Sequence, residues 1–218
     1  MKRSLLLAVL TTAALAAPAA AQTATPVRSN TSGVLLGIGL NASTINANDV
    51  AVSDGTQRGG GLFLQLGYGF GPHFALYTEL AGTGISNTGN ATYTGSRVGL
   101  GHFDLGARYH FGGDRSRFRP FLLAAVGGRA VTHDNVDYVD ANGDSQTGVL
   151  TYSGASLTLG LGADYFFSPS VALHSSVQAS GGKFTTQTVG DMSERNLDIQ
   201  STSGRLNVGI DWFPSRHR

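Results

Sequence analysis

His174 and Ser176 are the two residues whose types and spacing best fit covalent chemistry. They are two positions apart, so an extended chain places both side chains on one face. A histidine beside a serine can act as the base that activates a nucleophile, and Glu79 or Asp164 could supply the acid that orients the imidazole. The sequence therefore allows a hydrolase, provided that the surrounding elements bring these residues to a substrate.

A second candidate is the acidic segment at 140–144, Asp-Ala-Asn-Gly-Asp, which places two acids and an amide at alternate positions, as a calcium loop does at its start. An EF-hand would continue with Gly where Ser145 stands and with a bidentate Glu where Thr151 stands. Asn-Gly is also the strongest short hairpin signal. We therefore expect a hairpin tip here, and we expect neither a metal nor a cofactor.

The first 21 residues have the features of an export signal. Lys2 and Arg3 precede an uncharged apolar run at 5–17, and three alanines stand before Gln22 as a cleavage pattern. The run is shorter than the roughly 20 apolar residues of a membrane helix. We expect cleavage after Ala21.

Charge and cysteine content exclude several classes of protein. The chain has 15 Lys and Arg and 14 Asp and Glu, and loss of Lys2 and Arg3 with the signal would leave 13 basic residues. Nucleic-acid-binding proteins carry a clustered basic excess, so we expect no nucleic-acid partner. The absence of cysteine excludes disulfides and lipidated thiols. No later apolar stretch reaches the length of a membrane helix, so a mature chain that enters a bilayer must do so as a closed sheet.

Eight segments alternate between apolar and polar residues with the period of two that β-strands show. In the segment 102–111, Phe103, Leu105 and Tyr109 oppose Asp104 and Arg108. The other segments are 34–42, 61–70, 74–82, 119–131, 156–166, 171–180 and 205–213, and the fifth of the eight, 119–131, is too irregular for its faces to be assigned.

The connections between these segments alternate in length. Three are short, at 71–73, 112–117 and 167–170, and four are long and polar, at 43–59, 83–97, 132–150 and 181–203. Short turns at one end and long loops at the other are typical of outer-membrane barrels. The sequence therefore predicts an all-β fold, an eight-stranded antiparallel up-and-down transmembrane β-barrel.

Glycines indicate which face of each segment is the inside. Gly37, Gly67, Gly106, Gly160 and Gly209 lie on the polar faces, and glycine suits the narrow interior of eight strands better than an exposed strand surface. Buried charges of mixed sign must pair. We therefore predict a polar network in the lumen, in which Asp104 or Glu79 is the partner of Arg108. The predicted members of the network are Gln65, Tyr77, Glu79, His102, Asp104, Arg108, His110, Asp164, His174, Gln178, Arg205 and Asp211.

Aromatic residues cluster on the apolar faces beside the short connections. Such residues gather where the wall of a barrel meets the membrane boundary. We predict a lipid-facing girdle of Tyr68, Phe70, Phe74, Tyr109, Phe111, Tyr165 and Trp212.

These features together resemble the OmpA/OmpX-like family of small outer-membrane β-barrel domains. The resemblance rests on the signal, the eight segments, RPFLLAAVGG at 119–128 and LNVGIDWF at 206–213, and it covers residues 33–213. It implies the outer membrane of a Gram-negative-type bacterium, contact with its lipids, and recognition of the terminal strand by the barrel-insertion machinery. Phe213 could be the aromatic residue recognised, although 214–218 follow it. We expect no peptidoglycan-binding domain after the barrel.

The expected organisation is a cleaved signal at 1–21, a flexible leader at 22–32, the barrel at 33–213 and a short tail at 214–218. The first functional hypothesis is a structural and surface-interaction protein, a monomer whose loops can meet an extracellular ligand. The alternative is a porin-like channel for small solutes. A lipid hydrolase is a distant third, because His174 and Ser176 would face the lumen while a lipid arrives at the outer wall, so we expect no enzyme.

Overall fold

The computed structural model describes residues 29–47, 57–86, 98–139, 143–190 and 192–214. All regular elements in these ranges are β-strands. No helix among the described residues is long and apolar enough to cross a membrane. The predicted signal at 1–21 and residues 215–218 of the predicted tail lie outside them. The strands are β1 (Gly33–Ala47), β2 (Gln57–Gly69), β3 (Phe74–Ser86), β4 (Val98–His110), β5 (Phe118–Val139), β6 (Ser145–Ser168), β7 (Val171–Val189) and β8 (Met192–Trp212).

The eight strands form one closed ring, which confirms the predicted fold. Each strand pairs antiparallel with the next, and β1 closes on β8 through pairs that run from Leu36–Trp212 to Ala47–Ser201. Closure gives the backbone of each strand a partner on both sides, as a hydrocarbon environment requires. The three short connections, at 70–73, 111–117 and 169–170, lie at one end, which we call the turn end; the other is the hairpin end.

Two of the predicted long loops are mostly strand. The segments predicted as loops at 132–150 and 181–203 continue β5 to Val139, start β6 at Ser145, extend β7 to Val189 and start β8 at Met192. Alternation did not show this, because these segments are rich in polar residues and because bulges near Asn135 and Asn196 interrupt the period of two while the backbones still pair. The predicted loops at 43–59 and 83–97 are likewise strand at both ends, and residues 48–56 and 87–97 lie outside the described residues.

At the hairpin end, β5 to β8 continue as a four-stranded extension of the barrel. Each of its two border strands, β5 and β8, contains an irregularity in its backbone pairing. The β5–β6 register shifts between His133 and Val136, where Asn135 has a φ of 58°. The β7–β8 register shifts between Phe184 and Thr186, opposite Asn196 with a φ of 70°. Asparagine tolerates this left-handed backbone, and a bulge twists a strand edge away from pairing with another chain.

Exposure alternates along the strands and separates two faces. Leu64 on β2 is 51% exposed and points outward, whereas its neighbours Phe63 and Gln65 are buried in the lumen. On β5, whose faces the sequence left unassigned, Phe121 points inward and Leu122 outward. The outer wall is thus apolar and the lumen holds the polar residues.

Leu159→Arg should lower the free energy of unfolding by about 2–4 kcal/mol if the outer wall faces lipid, because a guanidinium would replace a leucine that is exposed on the outer wall. Urea titration of the protein folded in lipid vesicles measures this change. Ser193→Arg, on the exposed hairpin of β8, is the matched control and should stay within about 0.5 kcal/mol of the unmodified protein. Equal effects of both variants on the free energy of unfolding would contradict the assignment of the outer wall to the lipid.

Candidate functional site in the barrel lumen

Strand alternation brings all twelve side chains of the predicted network into the lumen. Each of them is at most 4% exposed: Gln65, Tyr77, Glu79, His102, Asp104, Arg108, His110, Asp164, His174, Gln178, Arg205 and Asp211. Eleven of them form hydrogen bonds, ion pairs or cation–π contacts with other members. Both ring nitrogens of His102 lack a hydrogen-bond partner among the described residues.

Arg108 crosses the lumen from β4 and binds residues of β8 and β2. Its Nη1 donates to Asp211 Oδ2 at 2.9 Å and its Nη2 to Gln65 Oε1 at 2.7 Å, and Asp164 Oδ2 lies 3.6 Å from Nη1. The guanidinium also stacks 4.4 Å from the centre of the Phe121 ring. The predicted partners, Asp104 and Glu79, were therefore wrong. Alternation assigns a side chain to the lumen, but it does not show which strand on the far side of the lumen that side chain contacts.

Asp104 and Glu79 instead bind the second arginine, Arg205 of β8. Arg205 Nη1 lies 3.1 Å from Glu79 Oε1, and its Nη2 donates to Asp104 and, at 2.7 Å, to Gln178 Oε1. Gln65 joins the two clusters, because its Oε1 accepts from Arg108 while its Nε2 donates to Glu79 Oε2 at 2.5 Å. The lumen thus contains one continuous network rather than separate ion pairs.

Asp164 holds two histidines. Its Oδ2 lies 2.9 Å from His110 Nε2 and its Oδ1 lies 3.0 Å from His174 Nδ1, which is also 3.3 Å from Asp211 Oδ2. Ligand atoms of Asp164, His174 and Asp211 lie within 4.8 Å of one another, a spacing that could suit a metal ion. Arg108 Nη1 already supplies the positive charge at these carboxylates, so the arrangement favours a salt-bridge network over a cation site.

His174 Nε2 lies 3.2 Å from Ser176 Oγ, so Asp164, His174 and Ser176 form the hydrogen-bonded chain that the hydrolase hypothesis requires. All three are buried inside the barrel. Ser176 Oγ also accepts a hydrogen bond from Gln178 Nε2 at 3.3 Å.

Sequence reasoning missed two lumen arginines on β5, Arg119 and Arg129. Arg129 donates to Ser201 Oγ at 2.8 Å and to Ser203 Oγ at 3.2 Å, near the hairpin end. Arg119 donates to the carbonyl of Phe111 at 3.2 Å, near the turn end. The faces of the fifth segment could not be assigned because Leu122-Leu123 and Gly127-Gly128 interrupt its alternation. Its basic side chains nevertheless all stand at odd positions, and that parity would have identified the inward face.

The last residues of the predicted flexible leader are docked across the turn end. Ser29 N donates to the carbonyl of Asp114 at 2.7 Å, Asn30 N to that of Pro169 at 2.9 Å, and Thr31 Oγ1 to that of Pro72 at 3.0 Å. Three consecutive residues thus bind all three short turns, and Arg119 Nη1 donates to Ser29 Oγ at 3.0 Å. Residues 29–31 of the leader thus have hydrogen-bond partners at the turn end, which the sequence could not predict because nothing in a polar leader reveals a partner far along the chain.

Two apolar clusters pack inside the barrel beside the network. Near the turn end, Phe166 and Phe213 pack with ring centres 5.7 Å apart beside Leu35. Toward the hairpin end, a second apolar cluster consists of Ile45, Ile85, Val98, Leu100, Val131, Val136, Leu150, Tyr152 and Phe184. Phe213, the predicted terminal aromatic, is therefore inside the barrel, and Trp212 is the exposed aromatic of the last strand.

The residues of the predicted girdle lie exposed at the turn end, on the outer wall. They are Tyr68, Phe70, Phe74, Tyr109, Phe111, Tyr165 and Trp212, and sequence reasoning missed Phe118 and Phe167 beside them. Edge contacts join Tyr68 to Phe70, with 5.1 Å between ring centres, and Tyr109 to Phe111, with 5.2 Å. Of the candidate calcium segment, residues 140–142 lie outside the described residues, and Gly143 has the positive φ, 90°, of a turn.

A closed eight-stranded sheet with an apolar outer wall, an aromatic end and a polar lumen defines an outer-membrane β-barrel. The sequence matches the family described as outer membrane protein beta-barrel domain over residues 6–212. The chain belongs to this family, which places it in the outer membrane and confirms the resemblance noted from its sequence.

Solved structures support the fold. Neisserial surface protein A is 16% identical with a TM-score of 0.57, over 83% of this chain and 97% of that one. OprG from Pseudomonas aeruginosa is 13% identical with a TM-score of 0.51, over 85% and 98%. AlkL is 15% identical with a TM-score of 0.50, over 89% and 96%. No curated protein sequence matches the chain.

Arg108→Ala should lower the free energy of unfolding by about 3–5 kcal/mol, because Asp211 and Asp164 would stay buried without the guanidinium. Denaturant titration measures the loss. Adding Asp211→Asn should restore part of it, whereas adding Glu79→Gln should restore none, since Glu79 pairs with Arg205. Equal rescue by both second changes would contradict the assignment of partners.

Proposed function

We propose that the protein is a closed outer-membrane barrel with a structural and surface-interaction role. In this proposal the ring anchors the chain, the lumen is a rigid filling, and the hairpin end meets the exterior. The observation that carries the proposal is the continuous network of Arg108, Gln65, Glu79 and Arg205 across the lumen. A solute could pass only by breaking several buried ion pairs, each of which is costly to break.

The order of charges along the lumen supports closure for ions of either sign. Arg119 and Arg129 lie toward opposite ends, and their hydrogen bonds go to hydroxyl and carbonyl oxygens. Four carboxylates and two further arginines are also buried in the lumen: Glu79, Asp104, Asp164, Asp211, Arg108 and Arg205. Asp164 stands opposite Arg119 in the β5–β6 register. A cation that enters from the hairpin end would first meet Arg129, and an anion would then meet a region in which the described carboxylates outnumber the arginines.

The asymmetry of the two ends supports an orientation with the hairpin end outside the cell. Long extracellular connections and short periplasmic turns are the rule in such barrels. The extension of β5–β8 exposes charged and hydroxyl side chains, among them Lys183 and Asp198, whose charged groups lie 2.7 Å apart. A hydrated extracellular ligand or surface partner suits this surface. We propose a monomer that the insertion machinery recognises at the terminal strand.

The lumen position of His174 and Ser176 supports a structural role for that pair. Ser176 is 1% exposed and faces away from the outer wall, where a lipid substrate would lie. We therefore propose no enzymatic activity.

Purified protein in planar bilayers should be electrically silent or show only rare, small openings, because the network and both apolar clusters fill the lumen. Single-channel recording tests this, with heat-modifiable electrophoresis as the control for folding. Arg108→Ala should raise the frequency of openings. Steady, ion-selective conductance that Arg108→Ala leaves unchanged would favour the porin-like alternative.

A protease-recognition sequence inserted after Gly190 should be cut when protease is added to intact cells, because the β7–β8 hairpin lies outside in the proposed orientation. The matched insertion after Gly113, in a short turn, should be cut only after the outer membrane is permeabilised. Immunoblotting of the fragments gives the result. The opposite pattern would reverse the orientation.

A further inference from the structure

The outer wall of the barrel has a groove between β2 and β6. Its volume is about 650 Å³, and its sides are formed by Leu66, Tyr68, Leu76, Leu105, Val126 and Leu157. Its floor consists of short side chains, since Ala107 of β4 pairs with Ala124 of β5. We call this feature the wall groove.

The register of the strands explains why the wall groove exists. Ala107 pairs with Leu76 on one side, and Ala124 pairs with Leu159 on the other, so two methyl groups stand between rows of leucines. The floor spans two adjacent strands, which are about 4.8 Å apart. This width suits one extended hydrocarbon chain.

The wall groove is supported from inside the barrel. A Cβ atom at Gly106, directly under the floor, would lie 2.8 Å from Cζ of Tyr77, so the Tyr77 ring already fills the space behind the wall. Tyr77 is 4% exposed and holds the Arg108 guanidinium 5.4 Å from its ring centre. The strands cannot sink inward to remove the groove, which is therefore a fixed feature of the surface.

The surroundings of the wall groove determine what can occupy it. The chain belongs to an outer-membrane family, so its apolar outer wall lies against lipid. The groove is continuous with that wall and carries no charged side chain. An empty groove would forfeit dispersion contacts along its whole length, so hydrocarbon is the ligand that gains most from entering it.

Tyr68 identifies the leaflet from which the ligand enters. It lines the wall groove and belongs to the aromatic girdle at the turn end, where polar head groups lie. We propose that the wall groove binds one acyl chain of a phospholipid from the leaflet at the turn end, with the head group at the level of the girdle. A volume of this size falls within the range of about 300–1,000 Å³ that small-molecule sites show.

Photo-crosslinking in vesicles tests the proposal. The folded protein is reconstituted into phosphatidylethanolamine and phosphatidylglycerol vesicles that contain a phospholipid with a diazirine on its acyl chain, and adducts are mapped by mass spectrometry after irradiation. Adducts on Leu105 and Val126 should exceed those on Ile38 and Val208 of the opposite wall by about threefold. This ratio corresponds to a retention free energy of about 0.7 kcal/mol.

Filling the wall groove provides the decisive comparison. Ala107→Leu combined with Ala124→Leu should reduce the adducts on Leu105 and Val126 to the level of the opposite wall. Ala179→Leu, at an exposed position of β7 outside the groove lining, should leave them unchanged. If the double variant does not fold, as judged by heat-modifiable electrophoresis, Ala124→Leu alone serves.

Three results would overturn the proposal. The first is equal labelling of both walls of the unmodified protein. The second is labelling of Leu105 and Val126 that the filled groove leaves unchanged. The third is labelling there below that of the opposite wall together with a crosslinked dimer, which would assign the groove to a second copy of the chain.

Discussion

Every feature of this barrel depends on the closure of eight strands in a medium that offers no hydrogen bonds. Closure satisfies the backbone, but it leaves a lumen only wide enough for side chains. Large inward side chains must therefore face positions without a Cβ atom. A Cβ at Gly39 would lie 2.6 Å from Cε1 of Phe63, and one at Gly162 would lie 2.5 Å from Cζ of Phe121. The inward glycines are the spaces into which the aromatic rings fit.

The same narrow lumen determines how its charges are neutralised. A buried guanidinium needs partners on other strands, and for Arg108 and Arg205 these partners include carboxylates. Arg108 therefore binds Asp211, far along the chain, and Arg205 binds Glu79. These bonds join strands that are not neighbours in the sheet. The side chains that fill the lumen therefore also stabilise the wall of the barrel. The same bonds hold Arg108 against Tyr77, which lies behind the wall groove.

The sequence predicts whatever depends on alternation alone. The parity of Leu64 against Gln65, or of Leu159 against Thr158, assigns each to the correct face. Alternation carries no information on contacts across the lumen, which is why Arg108 was given the wrong partners. It also fails where a bulge interrupts the period of two, as at Asn135 and Asn196, and where a contact depends on distant backbone, as for Thr31 and Pro72. The residues of the lumen therefore follow from the sequence, whereas the bonds among them depend on the three-dimensional arrangement of the strands.

The length of the strands accounts for how the barrel sits in its membrane. On β2, ten residues separate Tyr68 of the girdle from the outward-facing Arg58. At a rise of about 3.4 Å and a tilt of about 40°, that distance covers about 26 Å, close to the apolar band of about 25 Å in such barrels. On β7, ten residues likewise separate the outward Leu173 from Lys183. Aromatic rings at the turn end and cations at the hairpin end therefore set the depth of the barrel in the membrane. Beyond the level of the cations the strands continue as an extension with a polar outer surface, because water, unlike lipid, can solvate the unpaired borders of a sheet.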